Sequence, residues 1–185
     1  MATFKTAFAN ENVKVSHKMQ PHILSNCFGI SYQQFTFPKN TGLSGSIING
    51  TAKGADEKSE AKIFMELLMP QEAEVLAFYD HYNWKEYAAI TKNHYGKGTA
   101  IYIGCMTDNN TLKAVLTEAL NSAEVEIPEY SWPVIVRKGT NDLCKCVRYI
   151  LNYSAEEQKV SYYGKNGTEL LSGESVQDGE SITVS

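Results

Sequence analysis

The sequence predicts an α/β domain followed by a small all-β antiparallel domain, and three observations carry that prediction. A β-rich run at residues 99–104 leads into a segment where Leu112, Val115, Leu116, Ala119 and Leu120 recur at i, i+3, i+4, i+7 and i+8. That is the spacing of a helix with one buried face, and strand followed by amphipathic helix suggests a sheet with helices packed on it. From residue 134 onward no helical pattern survives, and short β-prone runs alternate with turn signals. Between the two halves, IPEYSWP at residues 127–133 sets two prolines and two aromatics. Proline removes a backbone donor and restricts the residue before it, so regular structure breaks there. The expected domains are 1–127 and 128–185.

Within the first half, Pro21 can open a short helix through Cys27, with Gly29 as its stop. Residues 30–37 read as an aromatic-rich strand ended by Pro38, and residues 50–60 as a small, polar loop. Residues 61–69 place Ile63, Met65 and Leu67 on one side and Phe64 and Leu68 on the other, as in a strand covered on both faces. A strand follows at 74–79. Residues 87–91 and 99–104 form a hairpin around Asn93, Gly96 and Gly98, which tolerate the conformations a turn needs. Thr107 or Asp108 caps the helix that follows. In the second half, residues 134–138, 143–153, 158–163, 169–171 and 181–184 read as strands of a small sandwich or barrel.

Composition narrows the function classes. Apolar residues make up 43 % and charged residues 21 %, enough to build a core without cross-links. The net charge of −4 argues against nucleic acid, which demands clustered Lys and Arg. No run of about 18 apolar residues is present to cross a membrane as a helix. The N-terminus lacks an apolar signal core, which favours a cytoplasmic chain without locating any longer parent. Cys27, Cys105, Cys144 and Cys146 form no CxxC pair and are expected as reduced thiols.

No catalytic, cofactor-binding or metal site is expected. Cys105 lies between a strand and a helix, where nucleophile elbows sit, but Met106 and Thr107 occupy positions where glycine would ease the tight turn. Cys27 reads as the end of a short helix. Asp80, His81 and His94 lack a third organising residue for acid–base work. The histidines at 17, 22, 81 and 94 show no ligand spacing. YGKGT at 95–99 reads as a β-turn rather than a phosphate loop. Four Asn-x-Ser/Thr matches, at Asn49, Asn109, Asn152 and Asn166, carry little weight without a secretory context.

Three stretches share a likeness with one family: NENVKV with QPHILSNCFGISYQQFT within residues 10–36, EAEVLAFYD with YAAITKNHYGKGTAIYIGC at 72–80 and 87–105, and VRYILNYS with LLSGESV at 147–154 and 170–176. In this order they resemble the later part of the glycoside hydrolase family 42 β-galactosidases. The resemblance implies a trimerisation domain with a glutamine-amidotransferase-like, flavodoxin-like α/β fold, then a small antiparallel β domain. It implies a parent that hydrolyses terminal β-D-galactosides with retention in a separate barrel, which would be a partner of this chain. It also implies homotrimeric self-association, although this chain starts late relative to the family's domain, so the first domain is expected to be N-terminally incomplete and a dimer is also open. Retaining glycosidases use two carboxylates about 5 Å apart, and neither maps onto this chain. Tyr32, Phe35 and Phe37, with the Tyr82/Trp84 loop, are candidate interface anchors. Two alternatives stand beside this reading: a free-standing amidotransferase-like hydrolase using Cys105, and a carbohydrate-binding module using Tyr82, Trp84, Tyr130 and Trp132.

Overall fold

The structure, a computed structural model, describes residues 1–32, 34–49, 59–125 and 130–185. The chain divides into two compact units, Met1–Val125 and Glu126–Ser185.

The first unit contains, in order, β1 (Ala2–Thr3), a 3-10 turn at His22–Leu24, α1 (Ser25–Phe28), β2 (Ile30–Ser31), β3 (Phe35–Thr36), β4 (Gly42–Ser44), α2 (Ser46–Asn49), β5 (Ala61–Glu66), β6 (Met69–Pro70), β7 (Glu74–Asp80), β8 (Ala88–Tyr95), β9 (Gly98–Ile103), β10 (Cys105–Thr107) and α3 (Asn109–Ser122). The expected loop at residues 50–60 falls largely outside the described residues.

The flavodoxin-like α/β expectation is corrected here. The main sheet has the order β1-β9-β8-β7-β4, and only the two-residue β1 runs parallel to its neighbour. β7, β8 and β9 are successive antiparallel neighbours. Such pairs are joined by short turns, as in the Tyr95–Gly98 closure around Gly96 and Lys97, so no crossover helix is called for. Strands dominate, and among the described residues α3 is the one helix longer than four residues. A single strand–helix succession does not amount to a layered repeat.

A second, three-stranded sheet has the order β10-β5-β3, with a bulge between Cys105 and Met106 opposite Met65 and Lys62. β8 and β9 form the middle of the core: Ala88, Ala89, Ile90, Ile101, Tyr102 and Ile103 are all buried. Along β9 the side chains alternate, Ile101 and Ile103 joining one apolar cluster and Ala100 and Tyr102 the other.

Helix α3 differs from its expected burial. Asp108 caps it, its carboxylate accepting the Thr111 N–H at 2.9 Å. Thr111 and Val115 are its buried residues, while Leu112 and Leu116 are 37 % and 41 % exposed. Two apolar stripes adjoin on this helix; Thr111, whose hydroxyl is hydrogen-bonded to Ser59 Oγ at 3.0 Å, lies with Val115 on the side that turns inward.

The second unit contains β11 (Val134–Thr140), β12 (Cys146–Asn152), β13 (Gln158–Ser161), β14 (Gly167–Thr168), β15 (Ser175–Val176) and β16 (Ser181–Val184). They pair antiparallel as β11–β12, β13–β16 and β14–β15. Asn141 shapes the first hairpin by accepting the N–H groups of Leu143 and Lys145 on its side-chain oxygen. The expected strand at 169–171 is a turn instead, because Glu169 accepts the Leu171 and Ser172 N–H groups on its own carboxylate. No helix among the described residues is long and apolar enough to cross a membrane.

Candidate functional site

Cys105 is not placed on an elbow. It opens β10 and pairs with Met65, and three further residues intervene before α3 begins. It is 2 % exposed, and burial pushes its thiol up to about 12, against a hydrogen bond with Tyr79 that pulls the other way. A nucleophilic cysteine requires the opposite environment, exposed and thiolate-favouring. Cys27 is half-buried in α1, where its carbonyl accepts the Asn93 side-chain amide at 3.0 Å.

The residues weighed for acid–base chemistry lie on separate elements. Asp80 ends β7 opposite Gly42, and His94 sits on β8 opposite Thr99. His81 Nδ1 accepts the Asn83 N–H at 3.2 Å, and its ring packs on Tyr82 and Trp84. Among the described residues no three of His, Cys, Asp and Glu come together to hold a metal ion.

Sequence reading misses a buried polar centre. Glu66, the last residue of β5, is 1 % exposed. Its Oε1 accepts the Lys5 N–H at 2.7 Å and its Oε2 accepts the Tyr102 hydroxyl at 2.8 Å. The Tyr79 hydroxyl donates to the Glu66 carbonyl at 2.8 Å. Burial raises the Glu66 carboxyl above its ordinary value, although these donors partly offset it. Burial likewise raises Tyr32, Tyr79 and Tyr102, so their hydroxyls remain protonated, and those of Tyr79 and Tyr102 donate to Glu66. The signal in the sequence is a Glu at the end of a largely apolar run, in a segment expected to be covered on both faces but whose Lys62 and Ile63 are exposed.

The aromatic candidates divide by exposure. Tyr32 is 1 % exposed and is corrected from surface anchor to core residue: it packs against Tyr102. Phe35 and Phe37 are exposed, and rings link Phe35 to Phe8 and Phe64 at 6.0 and 5.2 Å. The Lys5 ammonium lies 4.4 to 5.0 Å from the Phe8, Phe35 and Phe64 ring centres. Tyr82 is exposed, whereas Trp84 packs against the core. In the second unit Trp132 stacks on Tyr153 at 5.7 Å, and the Tyr130 hydroxyl accepts the Tyr163 N–H at 3.0 Å. Tyr130, Trp132 and Arg137 help line a cavity of about 320 Å³ there.

Comparison with known proteins adds to this geometry. Residues 1–126 match the family model of the β-galactosidase trimerisation domain. The chain is 30 % identical over 165 residues to β-galactosidase LacZ of Heyndrickxia coagulans, covering 87 % of this chain and 23 % of that protein. It is 27 % identical over 140 residues to β-galactosidase Pbg of Clostridium perfringens, covering 71 % and 19 %. Among solved structures, the β-galactosidase of Bacillus circulans sp. alkalophilus has a similar fold, with a TM-score of 0.79 at 22 % identity over 98 % of this chain and 27 % of that one. The GH42 β-galactosidase Gan42B of G. stearothermophilus gives a TM-score of 0.78 at 18 % identity, covering 98 % and 26 %. The chain thus spans about a fifth to a quarter of the length of the relatives it matches.

Proposed function

The chain belongs to the β-galactosidase trimerisation-domain family, and from that premise we propose that it is a non-catalytic, structural oligomerisation region of a β-galactosidase. The observation that carries the proposal is the family match over residues 1–126, which coincides with the first compact unit. Its parent would hydrolyse terminal β-D-galactosides with retention, through carboxylates held elsewhere. The buried centre supports this division of labour: Glu66 is spent on Lys5 and Tyr102, inside the fold. Retaining hydrolysis needs a carboxylate pair open to the sugar.

The test is direct. Light scattering coupled to size exclusion, at two concentrations tenfold apart, should give a mass above 20.6 kDa, the value of one chain. The same preparation should not cleave a chromogenic β-galactoside above buffer. A monomer at both concentrations overturns the oligomerisation role. Turnover abolished by a point substitution in this chain overturns the non-catalytic role.

One observation favours a second reading, carbohydrate binding by the second unit. Trp132 and Tyr153 stack at an interplanar angle of 27° and are 71 % and 58 % exposed, an aromatic surface of the kind that packs on sugar rings. Titration with galacto-oligosaccharides followed by Trp fluorescence decides it; no change on titration, or a change unaltered in Trp132→Ala and Tyr153→Ala, rejects it.

A further inference from the structure

The first unit carries apolar surface at both edges of its three-stranded sheet. The strand order β10-β5-β3 makes β3 one edge and β10 the other. On the β3 side Phe35, which opens the strand, and Phe37, just beyond its end, are 43 % and 76 % exposed. On the β10 side Met106 is 43 % exposed, and the chain runs on into α3, where Leu112 and Leu116, one helical turn apart, form the outward stripe.

We infer that these are the two halves of one head-to-tail contact between copies of this chain: the Phe35/Phe37 edge of one copy seats on the Met106/Leu112/Leu116 surface of the next. The inference rests on the trimerisation reading and says how it is met. A closed ring of three cannot be built from a patch that meets itself, because each interface in a cyclic trimer joins two different surfaces. A trimerising unit must therefore present two complementary surfaces, and the occupant of each is a second copy of the chain. The two surfaces differ in the required way: one is aromatic and backed by an unpaired strand edge, the other is aliphatic and flexible, with a methionine that adapts to rings. Lys5 suits the aromatic side to burial, since its ammonium already lies over Phe8, Phe35 and Phe64.

The experiment uses the full chain with Phe37→Lys, Leu116→Lys and, as a control at another exposed apolar site, Tyr95→Lys. Circular dichroism melts confirm that each is folded. Phe37→Lys and Leu116→Lys should each run as monomers at concentrations where the wild type and Tyr95→Lys are assembled. An equimolar mixture of Phe37→Lys and Leu116→Lys should form a two-copy species and go no further, because each supplies the half the other lacks. The inference is overturned if either variant assembles like the wild type, if the mixture stays monomeric, or if Tyr95→Lys is equally disruptive. Those results leave the trimerisation reading standing. A monomeric wild type overturns both. Should either lysine variant not fold, Phe37→Ser and Leu116→Ser replace them under the same criteria.

Discussion

The backbone N–H of Lys5 donates to Glu66 Oε1 across 61 residues of sequence, at 2.7 Å. The same residue lays its ammonium over three phenylalanine rings. Its main chain thus anchors the N-terminal segment to the buried polar centre, while its side chain anchors it to the exposed aromatic edge. β1 adds two residues of pairing to β9, and Ala2 and Phe4 pack on the core and on Phe64.

Glu66 should make stability fall as pH rises. Its carboxyl is raised above the ordinary value of 4.5, with burial the main cause. A raised native pKa means the folded state binds its proton more tightly than the unfolded state, so this contribution is complete below 4.5 and is lost as pH climbs through the native value. Urea midpoints of the wild type should decline across that window. Glu66→Gln keeps a carbonyl acceptor and carries no charge, so its midpoints should be flatter with pH. Equal slopes for the two proteins would contradict the assignment.

The four thiols should separate by rate. Cys144 and Cys146 are exposed, Cys27 is half-buried and Cys105 is buried with its thiol pushed up to about 12. Near neutral pH, iodoacetamide should label Cys144 and Cys146 first and leave Cys105 untouched until the protein unfolds. Peptide mapping over a time course reads the order. Early labelling of Cys105 would reopen the case for a nucleophile.

Gly45 should tolerate no side chain. Its φ is +144°, and a Cβ there would lie 2.5 Å from the Leu76 carbonyl oxygen and 2.8 Å from Ala77 Cα, both backbone atoms of β7. Gly45→Ala should cost about 3 kcal/mol or more, combining overpacking with backbone strain. Gly96 also has positive φ, but a Cβ added there would meet nothing within 4 Å, so Gly96→Ala should cost only about 1–2 kcal/mol. Thermal or urea denaturation of both variants compares them, and equal losses would mean the contact with β7 does not matter.

What was legible in the sequence was local. The Tyr95–Gly98 hairpin and a cap at Thr107 or Asp108, which falls on Asp108, each follow from residues adjacent in the chain. What was not legible depends on partners far away. Tyr32 looks like any strand aromatic until it meets Tyr102, and Glu66 looks solvent-bound until Lys5 and Tyr102 close over it. The apolar spacing of α3 fits two adjacent stripes equally well, and the inner one is the side of Thr111 and Val115, which periodicity alone does not single out. The sheet topology failed for a related reason. A strand, a turn and a helix in succession fit both a crossover and an antiparallel meander, and only the pairing partners distinguish them.

Asp108 should act on stability with the opposite sign to Glu66. Burial pushes its carboxyl up, but the Thr111 N–H and hydroxyl and the Glu60 N–H outweigh that and hold it below its ordinary value of 3.8. A lowered native pKa means the contribution is complete above 3.8 and is lost as pH falls through the native value. Asp108→Ala removes the cap and should cost about 1 kcal/mol near neutral pH. Asp108→Asn keeps a capping oxygen that does not titrate, so it should lose little at neutral pH and should close its gap with the wild type in acid. Because the Glu66 effect runs above 4.5 and the Asp108 effect below 3.8, the two separate on one pH axis. In a Glu66→Gln background the remaining acid-side loss should be reduced by Asp108→Asn. Urea melts of the single and double variants from about pH 3 to about pH 8 read both effects, and an acid limb unchanged by Asp108→Asn would show that folding does not lower the Asp108 carboxyl below its unfolded value.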